Sequence, residues 1–288
     1  MVETPAPVVQ LLVLGVMYGF LYGVLALGLS LIWGVMKVVN IAHGDFVIVG
    51  AYASYWAFTL GGLNPIASLL VTVPLGLAMG AVVYIALIRR VQDAPELMSL
   101  LLTFGLSTLI VGLLLYLYSP TQRSIPIFLP GLETSGIVLP GNVAVPAAYA
   151  LILAVLMELF LKKTFWGKAI RAVTEDRNSA LLVGINPTTV SLLSFMIGIA
   201  LATSVGSMTM LLQSISPVNG GQFTMLSFVI VVLGGLGSPA GALVAGLLIG
   251  VINNISSIWL NAALTPVIGF IILVIVLVVR PYGLMGSK

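Results

Sequence analysis

Between positions 178 and 279 the chain runs for 102 residues without one Asp, Glu, Lys or Arg. Water-soluble domains cannot be built this way, because roughly a quarter of their residues carry charge to keep the surface hydrated. Four shorter charge-free runs precede it, at 4–36, 46–88, 97–122 and 134–157. Over the whole chain 7% of residues are charged and 60% are apolar. A soluble globule, a disordered chain and a nucleic-acid reader are excluded; the solvent is a lipid bilayer. Cysteine is absent, which removes disulfides, thiol nucleophiles and thiolate metal sites.

A membrane-spanning helix takes about 20 apolar residues. Segments are expected at 8–36, 46–60, 65–88, 97–118, 146–161, 189–212, 225–237, 240–256 and 259–279. The fold class is an all-α, polytopic helical bundle of eight or nine membrane segments, in one transmembrane domain covering 1–288. The first run lacks a basic leader region and a convincing cleavage site, so it reads as a retained span and not a signal peptide. Lys37, Arg89, Arg90, the cluster from Lys162 to Arg177, and Arg280 with Lys288 are expected on the cytoplasmic side. That places the N-terminus outside and the C-terminus inside. It also forces 225–256 to enter and return as a short hairpin, broken or re-entrant, at Leu233-Gly234-Gly235-Leu236-Gly237-Ser238-Pro239-Ala240-Gly241. Four glycines and a proline there cannot continue a straight helix. Non-helical backbone at membrane depth needs protein or water around it, so this hairpin is expected in the interior. Small residues at four-residue spacing, Gly15/Gly19/Gly23, Gly76/Gly80 and Ala242/Gly246/Gly250, read as helix-packing stripes.

Three stretches carry more than packing. Lys37 to Phe46 holds the only histidine of the chain, His43, with Asp45 beside Gly44. Ionisable groups near membrane depth are costly and usually face a bundle interior. Two readings fit. Asn40 ends one helix while Asp45 caps the next; or this helix start aims free N–H groups at a passing carboxylate, with Asp45 meeting an ammonium group. The candidate pathway residues are therefore Asn40, His43, Gly44 and Asp45, with Gly234, Gly235, Gly237, Ser238 and Pro239 opposite them. A bend at Gly44 is expected to bring His43 and Asp45 together.

The second stretch, 162–188, carries Lys162, Lys163, Lys168, Arg171 and Arg177 against Glu175 and Asp176. Two short helices fit it: one over 167–173, the other starting near Thr174 with two acids in its first turn and ending at Gly184. Ile170, Val173, Leu181 and Leu182 give the pair an apolar side, suited to a groove on a cytoplasmic partner. The third stretch, 119–146, is an external loop with Pro120, Pro126, Pro130, Pro140 and Pro146, plus Gly131, Gly136 and Gly141; Arg123 and Glu133 are its only charges. Loops this long are usually functional or disordered. It serves either to receive a substrate-delivering protein or as a lid over helix ends.

These residues carry a resemblance. The run Gly34-Val35-Met36 through Asn40-Ile41-Ala42-His43-Gly44-Asp45 to Gly50-Ala51-Tyr52 resembles ABC-transporter permeases for branched-chain amino acids, of the H type. Gly167-Lys168-Ala169-Ile170-Arg171-Ala172-Val173-Thr174-Glu175-Asp176, followed by Leu181-Leu182-Val183-Gly184-Ile185-Asn186, is similar to that family's cytoplasmic coupling segment. The glycine-rich break and the closing Arg280-Pro281-Tyr282-Gly283-Leu284 resemble its C-terminal part. The link Val91-Gln92-Asp93-Ala94-Pro95-Glu96 departs from the family in being short and weakly basic. The resemblance implies a prokaryotic inner-membrane subunit translocating branched-chain amino acids by alternating access. Its implied partners are a second, M-type permease subunit, two cytoplasmic ATPase subunits and an extracytoplasmic substrate-binding protein. ATP would be bound by the ATPase subunits, with no cofactor in this chain. Lys168, Arg171, Glu175, Asp176, Arg177 and Gly184 would couple ATP-driven closure to the gate.

Enzyme readings find no support in the sequence. There is no His-Glu-x-x-His zinc helix, no Gly-x-Ser-x-Gly turn and no phosphate-binding Gly-rich loop with Lys, so no catalytic or metal residue is assigned. A stand-alone secondary transporter or channel is the competing class; it would want several buried acids or bases, and the 102-residue core has none. Within the ABC class the alternative cargo is urea, a short amide or another small polar solute.

Overall fold

The computed structural model describes residues 5–134, 137–260 and 264–286. Lys288 and Gly136, named above, lie outside the described residues. Each expected membrane segment is a helix: α1 (Pro5–Met36), α2 (His43–Gly61), α3 (Leu69–Ala86), α4 (Glu96–Tyr118), α5 (Gly141–Lys163), α8 (Pro187–Thr209), α9 (Gly220–Gly234), α10 (Pro239–Ser256) and α11 (Thr265–Val279). Two short helices, α6 (Phe165–Glu175) and α7 (Arg177–Leu182), stand between α5 and α8. Seven of the described helices are long and apolar enough to cross a membrane, and α11 is a shorter apolar one.

Several boundaries shift, each for a local reason. The turn at 65–68 is held by the Asn64 side chain, whose Oδ1 accepts from the Ala67 N–H at 2.8 Å, so α3 begins at Leu69. Helix α5 begins at Gly141, five residues earlier than expected, and takes Pro146 into its second turn at the loss of one helical hydrogen bond. The loop before it is therefore 119–140. It departs from all-helical structure in a hairpin of β1 (Leu132–Thr134) and β2 (Ile137–Leu139), paired Leu132 to Leu139, and in an isolated antiparallel bridge from Arg123 to Ile215. Gln10 of α1 clamps this hairpin through both its amide oxygen and nitrogen to Val138.

Helix α8 is the most buried span and α4 the most exposed. Small residues explain α8's position: Gly198 packs on Gly28 and Ile32 of α1, Gly206 on Val47 of α2, and Ala200 and Thr203 on Gly76 of α3. Two glycine stripes face each other. Gly15 and Gly19 of α1 lie on the backbone of Gly250 and Gly246 of α10, where any side chain would collide. At the Met36 end of the same seam, Gly237 packs on Gly34. Helix α10 therefore runs antiparallel to α1 for its whole length, about 27 Å at 1.5 Å per residue.

This alters the reading of the 225–256 hairpin. It does go in and come back, as α9 and α10. The glycine-rich break, however, lies at the Met36 end of the bundle and not at membrane depth opposite Asn40–Asp45. Gly235, at φ 106°, sits against Gly286 there, in backbone geometry that favours glycine. Leu284 and Met285 donate backbone N–H bonds to Leu233 and Gly234 at 2.9 and 3.0 Å, strapping the C-terminal tail across the turn. Thr174 of α6 also reaches Gly34. The same end thus gathers Lys37, the Arg89–Arg90 turn, α6, α7 and the Arg280 tail; we call it the basic end.

Candidate functional site

The non-helical backbone at depth is a different stretch, 37–42. Helix α1 stops at Met36, and Lys37 reverses the chain at φ 56°. The next six residues run back into the bundle, so that His43 begins α2 level with Leu25. The His43 Nε2 lies 3.0 Å from the Leu25 carbonyl, to which it donates. Leu25 is eleven residues from the end of α1, about 16 Å deep at the helical rise. Asn40 and Asp45 are therefore deep and sealed, with Asp45 only 1% exposed.

Buried backbone must find partners, and here two threonines from distant helices supply them. Thr103 of α4 donates to the Val39 carbonyl at 2.9 Å and accepts from the Ile41 N–H at 3.2 Å. Thr224 of α9 donates to the Ile41 carbonyl at 2.8 Å and accepts from the Gly44 N–H at 2.9 Å. Thr224 thus stitches the start of α2 to the start of α9, which is itself preceded by a short 3-10 turn at Pro217–Asn219. Thr224→Val is expected to orphan two buried backbone groups at roughly 1–3 kcal/mol each. It should lower the thermal unfolding midpoint of the purified protein clearly, and Thr224→Ser should restore it.

Two helix starts therefore lie side by side inside the bundle. Asp45 does not cap α2: Ala42 holds that position and no side chain caps it. Nor does Gly44 bend the helix. It is a helical residue kept small because the Gly220 carbonyl and the Thr224 backbone occupy the space a Cβ would need. On this unbent helix His43 turns to α1, while the Asp45 carboxylate lies against Gly220 at the start of α9. The helix-start dipole there faces a carboxylate from the chain itself. Both polar atoms of the Asn40 side chain, His43 Nδ1 and Asp45 Oδ2 have no hydrogen-bond partner among the described residues.

Above this crossing opens a cavity of about 810 Å³ between α1, α8, α9, α10 and α11. Its apolar lining includes Leu21, Leu25, Val205, Phe223 and Val229, and its polar lining includes Gln213, Gln222, Asn253 and Asn254. Leu25 belongs to both places: it lines the cavity, and its carbonyl accepts from His43. None of the sequence-derived pathway residues lines the cavity. Gly234, Gly235, Gly237, Ser238 and Pro239 are at the basic end, and Asn40, His43, Gly44 and Asp45 are buried in the crossing. The cavity amides carry a weak sequence signal, the Asn253-Asn254 pair that interrupts an otherwise apolar run.

At the basic end the two short helices form, with altered boundaries. Thr164 N-caps α6, accepting from the Gly167 N–H at 3.0 Å. Glu175 ends α6 and does not open α7. Asp176 is the N-cap of α7, its Oδ1 accepting from the Asn178 N–H at 2.9 Å and its Oδ2 from the Ser179 hydroxyl at 2.6 Å. Those hydrogen bonds, the Ser179 hydroxyl first, hold its carboxyl below the usual carboxylate range. Gly184 closes α7 at φ 82°. The expected apolar side divides in two. Ile170 and Val173 are buried with Ala169 and Ala180 and anchor the pair to the bundle, whereas Leu181, Leu182 and Val183 are exposed, Leu182 by 88%. Phe165 and Trp166 are exposed too, at 69% and 43%. Lys168, Arg171, Glu175 and Asp176 are exposed in the same segment, and Arg177 bonds Asp93 of the 91–95 link at 2.8 Å.

A family described as branched-chain amino acid transport system / permease component matches residues 11–277. The chain is similar to the high-affinity branched-chain amino acid transport system permease protein LivH of Salmonella typhimurium, 28% identical over 94% of this chain and 93% of that one. It is 30% identical to BraD of Pseudomonas aeruginosa, a permease protein of the same description, over 96% and 95% of the two chains. A probable branched-chain amino acid transport permease protein LivH of Methanocaldococcus jannaschii is 30% identical over 94% and 90%. No solved structure matches it.

Proposed function

We propose, from the fact that the chain belongs to the branched-chain amino acid transport system permease family, that it is the membrane-spanning subunit of an ATP-driven importer of branched-chain amino acids. The observation that carries this reading is the basic end: exposed apolar and charged side chains together on α6 and α7, which buried Ala169, Ile170, Val173 and Ala180 anchor in the bundle. Exposed apolar patches rimmed by polar residues mark interaction sites. The partner supported is a pair of cytoplasmic ATPase subunits, with Lys168, Arg171, Glu175, Asp176, Arg177 and Gly184 in the contact region. A second permease subunit of the M type and an extracytoplasmic binding protein complete the assembly. On this reading the basic end faces the cytoplasm of a prokaryotic inner membrane, and the loop 119–140 faces outside.

The cavity is then the external half of the pathway. Asn40, His43, Gly44 and Asp45, locked to α9 through Thr224, close it below. The break Gly234–Pro239 belongs to the transmission: it touches α1 and the tail strap, and Thr174 of α6 touches the same Gly34. Movement of α6 reaches α9 through that end, and α9 carries both the crossing and one cavity wall. The test is reconstitution in liposomes. Leucine uptake is expected only with the second permease, ATPase subunits, binding protein and internal ATP together. Gradient-driven uptake by this chain alone would overturn the assignment.

A further inference from the structure

We infer that the cavity between α1, α8, α9, α10 and α11 is a recognition site of this chain's own for the zwitterion of an aliphatic amino acid; this rests on the importer reading and locates its cargo. Four amides, Gln213, Gln222, Asn253 and Asn254, line the cavity, and among the described residues no Asp, Glu, Lys, Arg or His does. An amide both donates and accepts, so one set serves an ammonium group and a carboxylate together. Asn253 Oδ1 is buried with no partner among the described residues, and the Asn254 Nδ2 is spent on the Gly250 carbonyl at 3.0 Å, leaving its oxygen for a ligand. The apolar lining, aliphatic and aromatic, accepts a branched side chain but leaves a charged one uncompensated. At about 810 Å³ the cavity lies within the range of small-molecule sites and holds such an amino acid with water. Glutamate, lysine and urea each fail one half of this match.

The absence of cysteine from the chain makes the test direct. Asn253→Cys and Gln222→Cys are introduced singly into the full chain, with Thr121→Cys in the loop after α4 as control, in the assembled complex in vesicles. Modification by a charged, membrane-impermeant thiol reagent is followed with and without leucine. Leucine at ten times its Kd should slow modification at 253 and 222 about ten-fold, the factor 1 + [L]/Kd for a bound ligand. Modification at 121 should not change, and glutamate, lysine and urea should protect none of the three. Equal rates with and without leucine at 253 and 222, or equal protection by glutamate or lysine, would overturn the site. Uptake by the wild-type complex is read in parallel. Normal ATP-driven leucine uptake without protection defeats this inference alone; absent uptake defeats the importer reading.

Discussion

Gly44→Ala is expected to destabilise the protein sharply, although it adds a single methyl group. The added Cβ would meet the Gly220 carbonyl oxygen and the Thr224 backbone nitrogen and hydroxyl. Overpacking a core costs about 1–3 kcal/mol where side chains can turn aside. Here the obstacles are main-chain atoms of a second helix, and the same methyl pushes apart the hydrogen bond from the Gly44 N–H to Thr224. Both terms fall on the one place where interrupted spans meet, so the cost should reach the top of that range or exceed it. Folded proteins are stable by only about 5–15 kcal/mol. Detergent-extracted Gly44→Ala should aggregate on size exclusion or melt far below the wild type, with uptake lost. Gly112→Ala on α4 is the control, since nothing lies within 4 Å of the Cβ it would add. Equal melting of the two variants would refute the close approach of α2 and α9.

The second large effect leaves the fold alone. Replacing Leu181 and Leu182 together with Asp should abolish coupled transport while the purified chain unfolds as before. The two residues are 54% and 88% exposed, and α7 is anchored by buried Ala180 instead. Surface changes of this kind usually move stability by no more than about 0.5 kcal/mol. If this face seats in a groove on the ATPase, two charges there remove the apolar anchor. Anchors of that type are worth about 2 kcal/mol or more each, at least roughly thirty-fold in affinity. ATPase subunits should no longer co-purify with the variant, and uptake should fall to background. Lys168→Ala, a change at an exposed charge of the same segment, should weaken association far less. Retained co-purification and uptake in the double variant would show that the ATPase docks elsewhere.

How much of this was legible beforehand depended on whether the signal was local. Runs without charge located every membrane helix, because exclusion of charge from hydrocarbon acts residue by residue. The glycine stripes were legible for the same reason, though not which stripe meets which. The depth of 37–42 was not. Its backbone is satisfied by Thr103 and Thr224, with hydrogen bonds spanning 62 and 180 residues of sequence, and six residues of similar composition would serve equally well at a membrane edge. The glycine-rich break is legible as a break, but the distribution of basic residues says only that the chain turns there; the α1 seam, with Gly237 on Gly34, sets its level. In the coupling segment, side-chain capping decided the boundary. Asp176 was read as an acid in a first turn, yet its geometry is that of the cap itself. The cavity amides were not legible because uncharged polar residues are common in membrane helices, and only the fold brings Gln213, Gln222, Asn253 and Asn254 to one cavity.

One consequence concerns where the bundle can open. Along α1 and α10 the backbones touch through Gly15, Gly19, Gly246 and Gly250, with no side chain between them to rotate or yield. A joint without slack behaves as a single beam. Whatever gap admits cargo must be cut along another line, and spectroscopic labels on those two rods should keep their separation through the whole transport cycle.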